Sequence, residues 1–363
     1  MPGPLTGLKV IELGGIGPAP FCSMLLADLG AAVTRIERPQ GVRLVSSAIP
    51  PLEPPIDVLH RGKDVEYLDL KVAEGRETAF ELLKTADIAI EGFRPGTMER
   101  LGLGPAECFA ENSRLIYGRM TGWGGSGPMA QTAGHDINYL ALTGALDAIG
   151  APGQPPTVPL NLVGDFGGGG LMLAFGLLAA LHERTLSGKG QIVDAAIVDG
   201  VSVLMASLYG LRSFGLEAAP RGTNVGDGGC PFYGVYECAD GRYVAVGALE
   251  EPFFKRLLEL LALPNEWSSR FDKECWPAIR ERFAERFMLR SRDEWCRLAN
   301  GSDACVTPVL DSAEAPGHPH AVARGAFFTH QGVTQPAPAP RFSRTPAVVA
   351  ETSGTRTGEV NHG

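Results

Sequence analysis

The sequence of 363 residues contains no CxxC pair, and none of its seven cysteines (Cys22, Cys108, Cys230, Cys238, Cys275, Cys296, Cys305) has a histidine at zinc-ligand spacing. That argues against a disulfide framework and a structural zinc site, and it reads as scattered reduced thiols in a cytoplasmic protein. No run of Lys or Arg occurs, and 32 basic against 41 acidic residues leave a net charge of −9. Non-specific nucleic-acid binding and attachment to an anionic membrane are therefore not expected. The N-terminal MPGPLTGLKVIEL lacks a basic region followed by an apolar one, so it does not read as a signal peptide. The longest apolar stretch, Leu171 to Leu181, is only about half a membrane span. Aromatic residues are few, at 7%. Hydrophobic residues at 44% and charged residues at 20% are ordinary for a chain with a core. Glycine (47) and proline (28) are in excess, so glycine must serve particular turns or a ligand surface.

The length suits two domains. Leu8 to Leu13 reads as a buried strand, Gly14 to Pro20 as a turn, Phe21 to Leu29 as a helix capped at Gly30, and Ala32 to Ile36 as a second strand. Strand, helix and strand in about thirty residues make a βαβ unit and imply a parallel sheet. The pattern returns at Arg76–Thr85 and Ala86–Ile90, and again at Leu115–Met120. A long helix is expected over Leu171–Thr185, closed by Gly188, then a strand at Gln191–Ala195 and a helix at Val198–Phe214. The Pro/Ser-rich segment Arg43–Asp57 reads as a surface loop. Beyond a Gly-rich stretch at Arg221–Gly234, Tyr236–Gly247 reads as a hairpin turning at Asp240-Gly241. Helices follow at Glu251–Leu261 and Trp276–Arg290. The expected fold class is α/β: a Rossmann-like large domain with a parallel sheet (1–220, closed by 325–363) and a smaller α+β domain (225–320). After Pro338 the chain should be extended, docked on a surface or frayed.

Gly15-x-Gly17 between a strand and a helix, with Glu37 about twenty residues on, invites a dinucleotide reading. The third glycine is missing, and Pro18 and Pro20 remove two N–H donors that a pyrophosphate would need. A tight strand-to-helix turn is the better reading, with a phosphate gripped by arginines at the end of strand two left open.

Three other segments carry chemistry. Gly134-His135-Asp136-Ile137-Asn138-Tyr139 follows the loop TGWGGSGP and places a histidine at a helix N-terminus, where the amides of Asp136 and Ile137 are free for an anion. Val163-Gly164-Asp165-Phe166 precedes four glycines that open a long apolar helix, at a cost of roughly 1 kcal/mol each relative to Ala. One glycine would serve an ordinary cap, so four imply close approach of something bulky. The third segment is Gly247-Ala248-Leu249-Glu250, at the end of a strand. An imidazole and a carboxylate on opposite faces of one carbon can pass a proton in both directions when that carbon lies α to a carbonyl.

These segments bring a resemblance into view. LGGIGPAPF (13–21), EGFRPG (91–96), MTGWGGSGP (120–128), AGHDINYLALTG (133–144), LNLVGDFGGGG (160–170), SGKGQIVDAAIVDG (187–200), YECADGRYVAVGALE (236–250) and DACVTPVL (303–310) resemble the α-methylacyl-CoA racemases of the family III CoA-transferase superfamily. The resemblance implies interconversion of (2R)- and (2S)-2-methylacyl-CoA thioesters by 1,1-proton transfer through an enolate. His135 and Asp165 would be the two acid/bases, and the Asp136 N–H would contact the thioester oxygen. Glu250 would hydrogen-bond the catalytic histidine across an interlocked homodimer, with the active site at the subunit interface. Arg38 and Arg100 match phosphate-contacting arginines. The CoA contacts match Leu68, Asp69, Leu70 and Lys71, then Gly92, Phe93, Arg94, Pro95 and Gly96, and then Gly134, Ile137, Asn138 and Tyr139. No metal or nicotinamide is implied, and CoA enters only as part of the substrate. The alternative is a transferase moving CoA between carboxylic acids through an aspartyl nucleophile at Asp165; His135 argues against it, because the transferases lack a histidine there. The loop 43–57 and the C-terminal TSGTRTGEVNHG differ from the usual family pattern.

Overall fold

The computed structural model describes residues 3–39, 57–265 and 270–350. In chain order the elements are β1 (Lys9–Leu13), α1 (Pro18–Asp28), β2 (Ala32–Glu37), β3 (Lys63–Tyr67), α2 (Ala73–Lys84), β4 (Ile88–Glu91), α3 (Thr97–Arg100), α4 (Pro105–Glu111), β5 (Ile116–Thr121), α5 (Asp136–Leu142) and α6 (Ala145–Ala148). A π-helix (Leu162–Leu171) runs directly into α7 (Met172–Ser187), followed by β6 (Ile192–Ala196), α8 (Ile197–Leu204) and α9 (Ala206–Ser213). Then come β7 (Tyr233–Glu237), β8 (Tyr243–Gly247), α10 (Glu251–Leu261), α11 (Trp276–Phe287), α12 (Arg292–Ala299), β9 (Val306–Pro308), α13 (Pro319–Arg324), β10 (Phe327–His330) and β11 (Val333–Pro336).

The chain divides into two compact units: 1–143 with 159–204 and 323–363, and 144–158 with 205–322. The first is built on a six-stranded parallel sheet in the order β3-β2-β1-β4-β5-β6. Val10, Leu13, Ile88, Ile90 and Tyr117 are fully buried because helices cover both faces of the sheet. The strand order reverses between β1 and β4, so the crevice outside their carboxyl ends is the expected ligand position. The second unit holds a three-stranded antiparallel sheet, β7-β8-β9, and its core is aromatic: Phe232, Phe254, Phe283, Phe287 and Trp295. Gly241, at φ +72°, supplies the left-handed residue of the β7–β8 turn.

Several elements depart from the sequence reading. The helix expected from Leu171 begins nine residues earlier, because the glycines at 167–170 sit inside a π-helix instead of preceding a helix. The joined run Leu162–Ser187 is thus 26 residues, long and apolar enough by length and composition to cross a membrane, where the sequence suggested half a span. In this fold it packs on α1 and α8. The helix at Val198–Phe214 is two, α8 and α9, separated at Met205. Of the states expected after Pro338, docking is seen at one point: the Val348 amide donates to Asp28 O at 3.1 Å. Within the same unit Arg61 pairs with Asp28 and donates to Gln335 Oε1 at 3.0 Å and Pro336 O at 2.7 Å. Residues 43–56 of the predicted surface loop and the tail from 351 lie outside the described residues.

Candidate active site

The β1–α1 turn shows why the dinucleotide fingerprint fails. Pro18 occupies the first helical position, where a missing N–H costs nothing, and Gly17 caps the helix at φ +68°. Arg35 is not available to a ligand: it is buried, pairs with Glu12 and Glu37, and donates to Gly15 O at 3.0 Å. Arg38, three residues on, is exposed beyond the carboxyl end of β2. Of the two arginines, only Arg38 presents its charge to solvent.

α5 starts at His135, which has extended backbone (φ −130°, ψ 173°) and an exposed side chain. Asn138 Oδ1 accepts the His135 N–H at 3.0 Å, and the Asn138 N–H returns to His135 O at 2.8 Å, so the first turn is closed on both sides. The preceding segment is pinned by aromatics. Tyr139 donates its hydroxyl to Gly134 O at 2.5 Å, and its ring meets Trp123 edge-on at 4.7 Å. A Cβ on Gly122 would stand 2.1 Å from the Tyr139 ring, and one on Gly134 would stand 2.9 Å from both rings. The aromatic pair thus accounts for Gly122 and Gly134, while Gly124 and Gly127 take the left-handed backbone of the loop's turns. The amides of Asp136 and Ile137, in the first turn, have no intrahelical acceptor.

Asp165 sits in the first turn of the π-helix, a form concentrated at functional sites. Its amide donates to Asp136 Oδ1 at 2.7 Å, which ties the π-helix to the start of α5. Burial pushes the Asp165 carboxyl up to about 6; the negative charge of Asp136 adds to this, and His135 works against it. Burial also raises Asp136 above the ordinary carboxylate range. On the β1–α1 side, Asp165 Oδ2 lies 3.2 Å from where a Gly17 Cβ would be, so that glycine leaves room for the carboxylate. The close partners of the four glycines are the protein's own helices. A Cβ on Gly168 would meet Val201 at 2.6 Å, and one on Gly170 would meet Pro18 O at 2.5 Å. Gly169 faces Pro18 and Ile197, and Gly167 faces Leu162 O and Leu204. The bulky neighbour inferred from the sequence is thus α1 and α8, not a ligand.

The remaining candidates of this unit follow the carboxyl ends of parallel strands. Leu68–Lys71 comes after β3, where Asp69 Oδ1 accepts the Lys71 N–H at 2.9 Å. Gly92–Gly96 comes after β4, and Glu91 accepts the Phe93 N–H at 2.8 Å. Leu68, Leu70 and Phe93 pack against the sheet core, so a ligand along these loops would meet mainly backbone and the exposed Lys71 and Arg94. Pro95 is half-buried, and Gly96, at φ +82°, caps α3. Arg100, on α3, is exposed and donates to Thr97 Oγ1 at 3.0 Å. The structure brings His135, Asp136 and Asp165 together, while Glu250 is exposed at the cap of α10 in the second unit. Among the described residues no group of three or more His, Cys, Asp or Glu side chains could hold a metal.

Sequence reasoning missed two supporting features. Gly17 makes room for Asp165 through a contact 148 positions apart in the chain. Arg119 on β5 pairs with Glu99 and approaches Glu91 at 3.6 Å, bracing both ends of the Gly92–Gly96 segment. Only the isolated charges at strand ends hinted at this.

The model of CoA-transferase family III matches residues 5–359. The chain belongs to that family. Among its relatives, the human α-methylacyl-CoA racemase is 45% identical over 346 residues, covering 95% of this chain and 88% of the human protein. The mouse α-methylacyl-CoA racemase is 44% identical over 357 residues, 98% of this chain and 91% of the mouse protein. The crystal structure of a CAIB/BAIF family protein from Brucella suis superposes with a TM-score of 0.82 at 28% identity, over 98% of this chain and 97% of that one.

Proposed function

We propose that this family III member is an isomerase, a racemase of 2-methylacyl-CoA thioesters in branched-chain fatty acid metabolism. The observation that carries this is identity of 44–45% to two racemases over nearly the whole chain. The meeting of an imidazole segment with a carboxylate held by its neighbour supports it. The substrate's α-carbon would lie between His135 and Asp165. One takes the α-proton, and the electron pair left behind delocalises onto the thioester oxygen. The other then returns a proton to the opposite face, and the oxygen's charge collapses back into the carbonyl. A gap on the order of ten pK units between base and carbon acid corresponds to roughly 14 kcal/mol, so donors aimed at the enolate oxygen must supply most of the offset. The Asp136 amide, free of intrahelical bonding, is our candidate donor. A base whose affinity for the proton is already raised, as at Asp165, narrows the gap further.

CoA itself would run along the strand ends, its phosphates met by Arg38 and Arg100 and its length by Leu68–Lys71 and Gly92–Gly96. The chemistry needs no further cofactor. In our reading two copies interlock, and Glu250 of the partner subunit orients His135. Apolar side chains left exposed on the sheet unit, among them Leu142, Leu171, Phe175 and Val203, are surface for such a partner. Free, scattered cysteines favour the cytoplasm.

The family's own name favours a second reading, in which Asp165 attacks the thioester and CoA moves to another acid. Incubation of each enantiomer of a 2-methylacyl-CoA in D2O separates the two. Racemisation incorporates deuterium at the α-carbon and ends near a 1:1 mixture. Transfer of CoA to an added carboxylate without α-exchange would discard the racemase reading.

A further inference from the structure

The side chain of Asp136 has no part in the chemistry described above, which uses only its amide. Its Oδ1 nevertheless accepts the Asp165 N–H at 2.7 Å, and the amide of Gly164 also favours the charged carboxylate. Gly164 is shaped around that contact: a Cβ there would stand 2.2 Å from Asp136 Oδ1, so any other residue would displace the carboxylate. The second oxygen, Oδ2, is buried with no hydrogen-bond partner. Nor does Asp136 form an ion pair among the described residues, so its charge is compensated only by the two amides.

We propose that the Asp136 carboxylate is the positioning residue of this site, fixing Asp165 against His135 by joining the start of α5 to the first turn of the π-helix. The proposal rests on the racemase reading for its catalytic meaning, though not for its geometry. A two-base reaction needs both groups set across one carbon, and a misplacement of about 1 Å can cost on the order of 10²-fold. His135 and Asp136 are adjacent in the chain, and Asp165 hangs from Asp136 by its own amide, so one side chain sets the spacing of the pair. Its placement has an electrostatic consequence. The titratable groups that act on Asp165 are Asp136 and His135 from α5, with the neutral phenol of Tyr139 on the next turn, while on the α1 side Gly17 comes close to its carboxylate. The Asp136 charge therefore raises the proton affinity of Asp165 and makes it the stronger base.

Two variants of the full-length protein separate position from charge. Asp136→Asn keeps an oxygen that can accept the two amides and removes the charge; Asp136→Ala removes both. Carbon-13 NMR of labelled aspartate carboxyls, with Asp165→Asn for assignment, reads the titration of Asp165 without reference to activity. The expected result is a midpoint near 6 in the parent and a lower one in Asp136→Asn. Exchange in D2O reads the position: kcat for the Asp165-dependent direction should fall by about 10²-fold in Asp136→Ala, with KM for the acyl-CoA changed far less. In Asp136→Asn the acid limb of that direction should move to lower pH, because Asp165 must be ionised to accept a proton. If Asp136→Ala does not fold, Asp136→Asn decides alone. An unmoved Asp165 midpoint in Asp136→Asn, or full kcat in a folded Asp136→Ala, would overturn the proposal. A parent protein that racemises nothing would overturn the racemase reading instead, and the NMR result would still stand.

Discussion

His135 and Asp165 meet in one site but are held in opposite ways. His135 caps an ordinary α-helix with its side chain exposed, and the local bonds of Asn138 and the Tyr139–Trp123 clamp fix its backbone. Asp165 is half-buried in a π-helix and is held by groups distant in sequence, Asp136 and the gap left by Gly17. The exposed imidazole costs the fold little. The buried carboxylate is a charge partly removed from water, and burial raises its proton affinity while making its ionised form a burden. The asymmetry suits the proposed pair, in which one group would take a proton from one face and the other return it to the opposite face.

The largest effects should fall on the chemistry. His135→Ala and Asp165→Ala should each lower racemisation by about 10²–10⁴-fold or more, the usual worth of a positioned base, measured by polarimetry or by chiral separation of the acyl product. Retention of full racemisation by either variant would break the comparison at its root. Next in size, Arg38→Ala and Arg100→Ala should raise KM with kcat largely kept, by roughly 1–3 kcal/mol for each lost charge-assisted hydrogen bond. Both arginines are exposed, Arg38 just beyond β2 and Arg100 at the end of α3, and steady-state kinetics with KM unmoved in both would refute their role. Glu250→Gln should cost less than loss of either base, since it would only orient an imidazole. Sedimentation of the same variant checks that any loss is not one of assembly.

The smallest expected effect sharpens the contrast in stability. Asp165 has a folded-state pKa raised from 3.8 to about 6. Between those values the folded chain binds a proton that the unfolded chain has released, so stability falls as pH rises from about 4 to about 6, and the deficit persists above. Asp165→Asn removes the deficit. Its thermal midpoint should exceed the parent's at pH 7 and converge with it at pH 4, whereas His135→Ala should shift the midpoint little at either pH. A destabilised Asp165→Asn at pH 7 would mean that the carboxylate is better compensated than its surroundings indicate.

Which parts of the molecule could be read from the chain follows the same division between local and distant causes. β1, β2, β4, β5 and β6 announce themselves as apolar runs between glycines and helices, because strands of a covered parallel sheet are buried on both faces. α10 was legible to the residue. β3 was not, since KDVEY carries three charges; its Lys63 is buried only because Glu12 and Ser23 receive it at 2.8 and 2.6 Å from other elements. β10 and β11 are four residues each, and β11 ends in a proline, so both are too short to show a period. In the site, glycine context marked His135 and Asp165 for local reasons. The functions of Gly17, Gly164 and the four-glycine run depend on what packs against them, and no sequence pattern records that. The four glycines imply a close, bulky neighbour without saying whether it belongs to the same chain or to a ligand, since both make the same demand for a missing Cβ.

The central claim is that two different bases serve two faces of one carbon. It is tested most directly by the initial rate of α-deuterium incorporation into each pure enantiomer, in D2O, with His135→Ala and with Asp165→Ala. The account predicts a crossed result: each variant still exchanges one enantiomer slowly, with retention, and the two variants exchange opposite enantiomers. Equal loss of exchange for both enantiomers in both variants, or residual exchange of the same enantiomer in each, would contradict it.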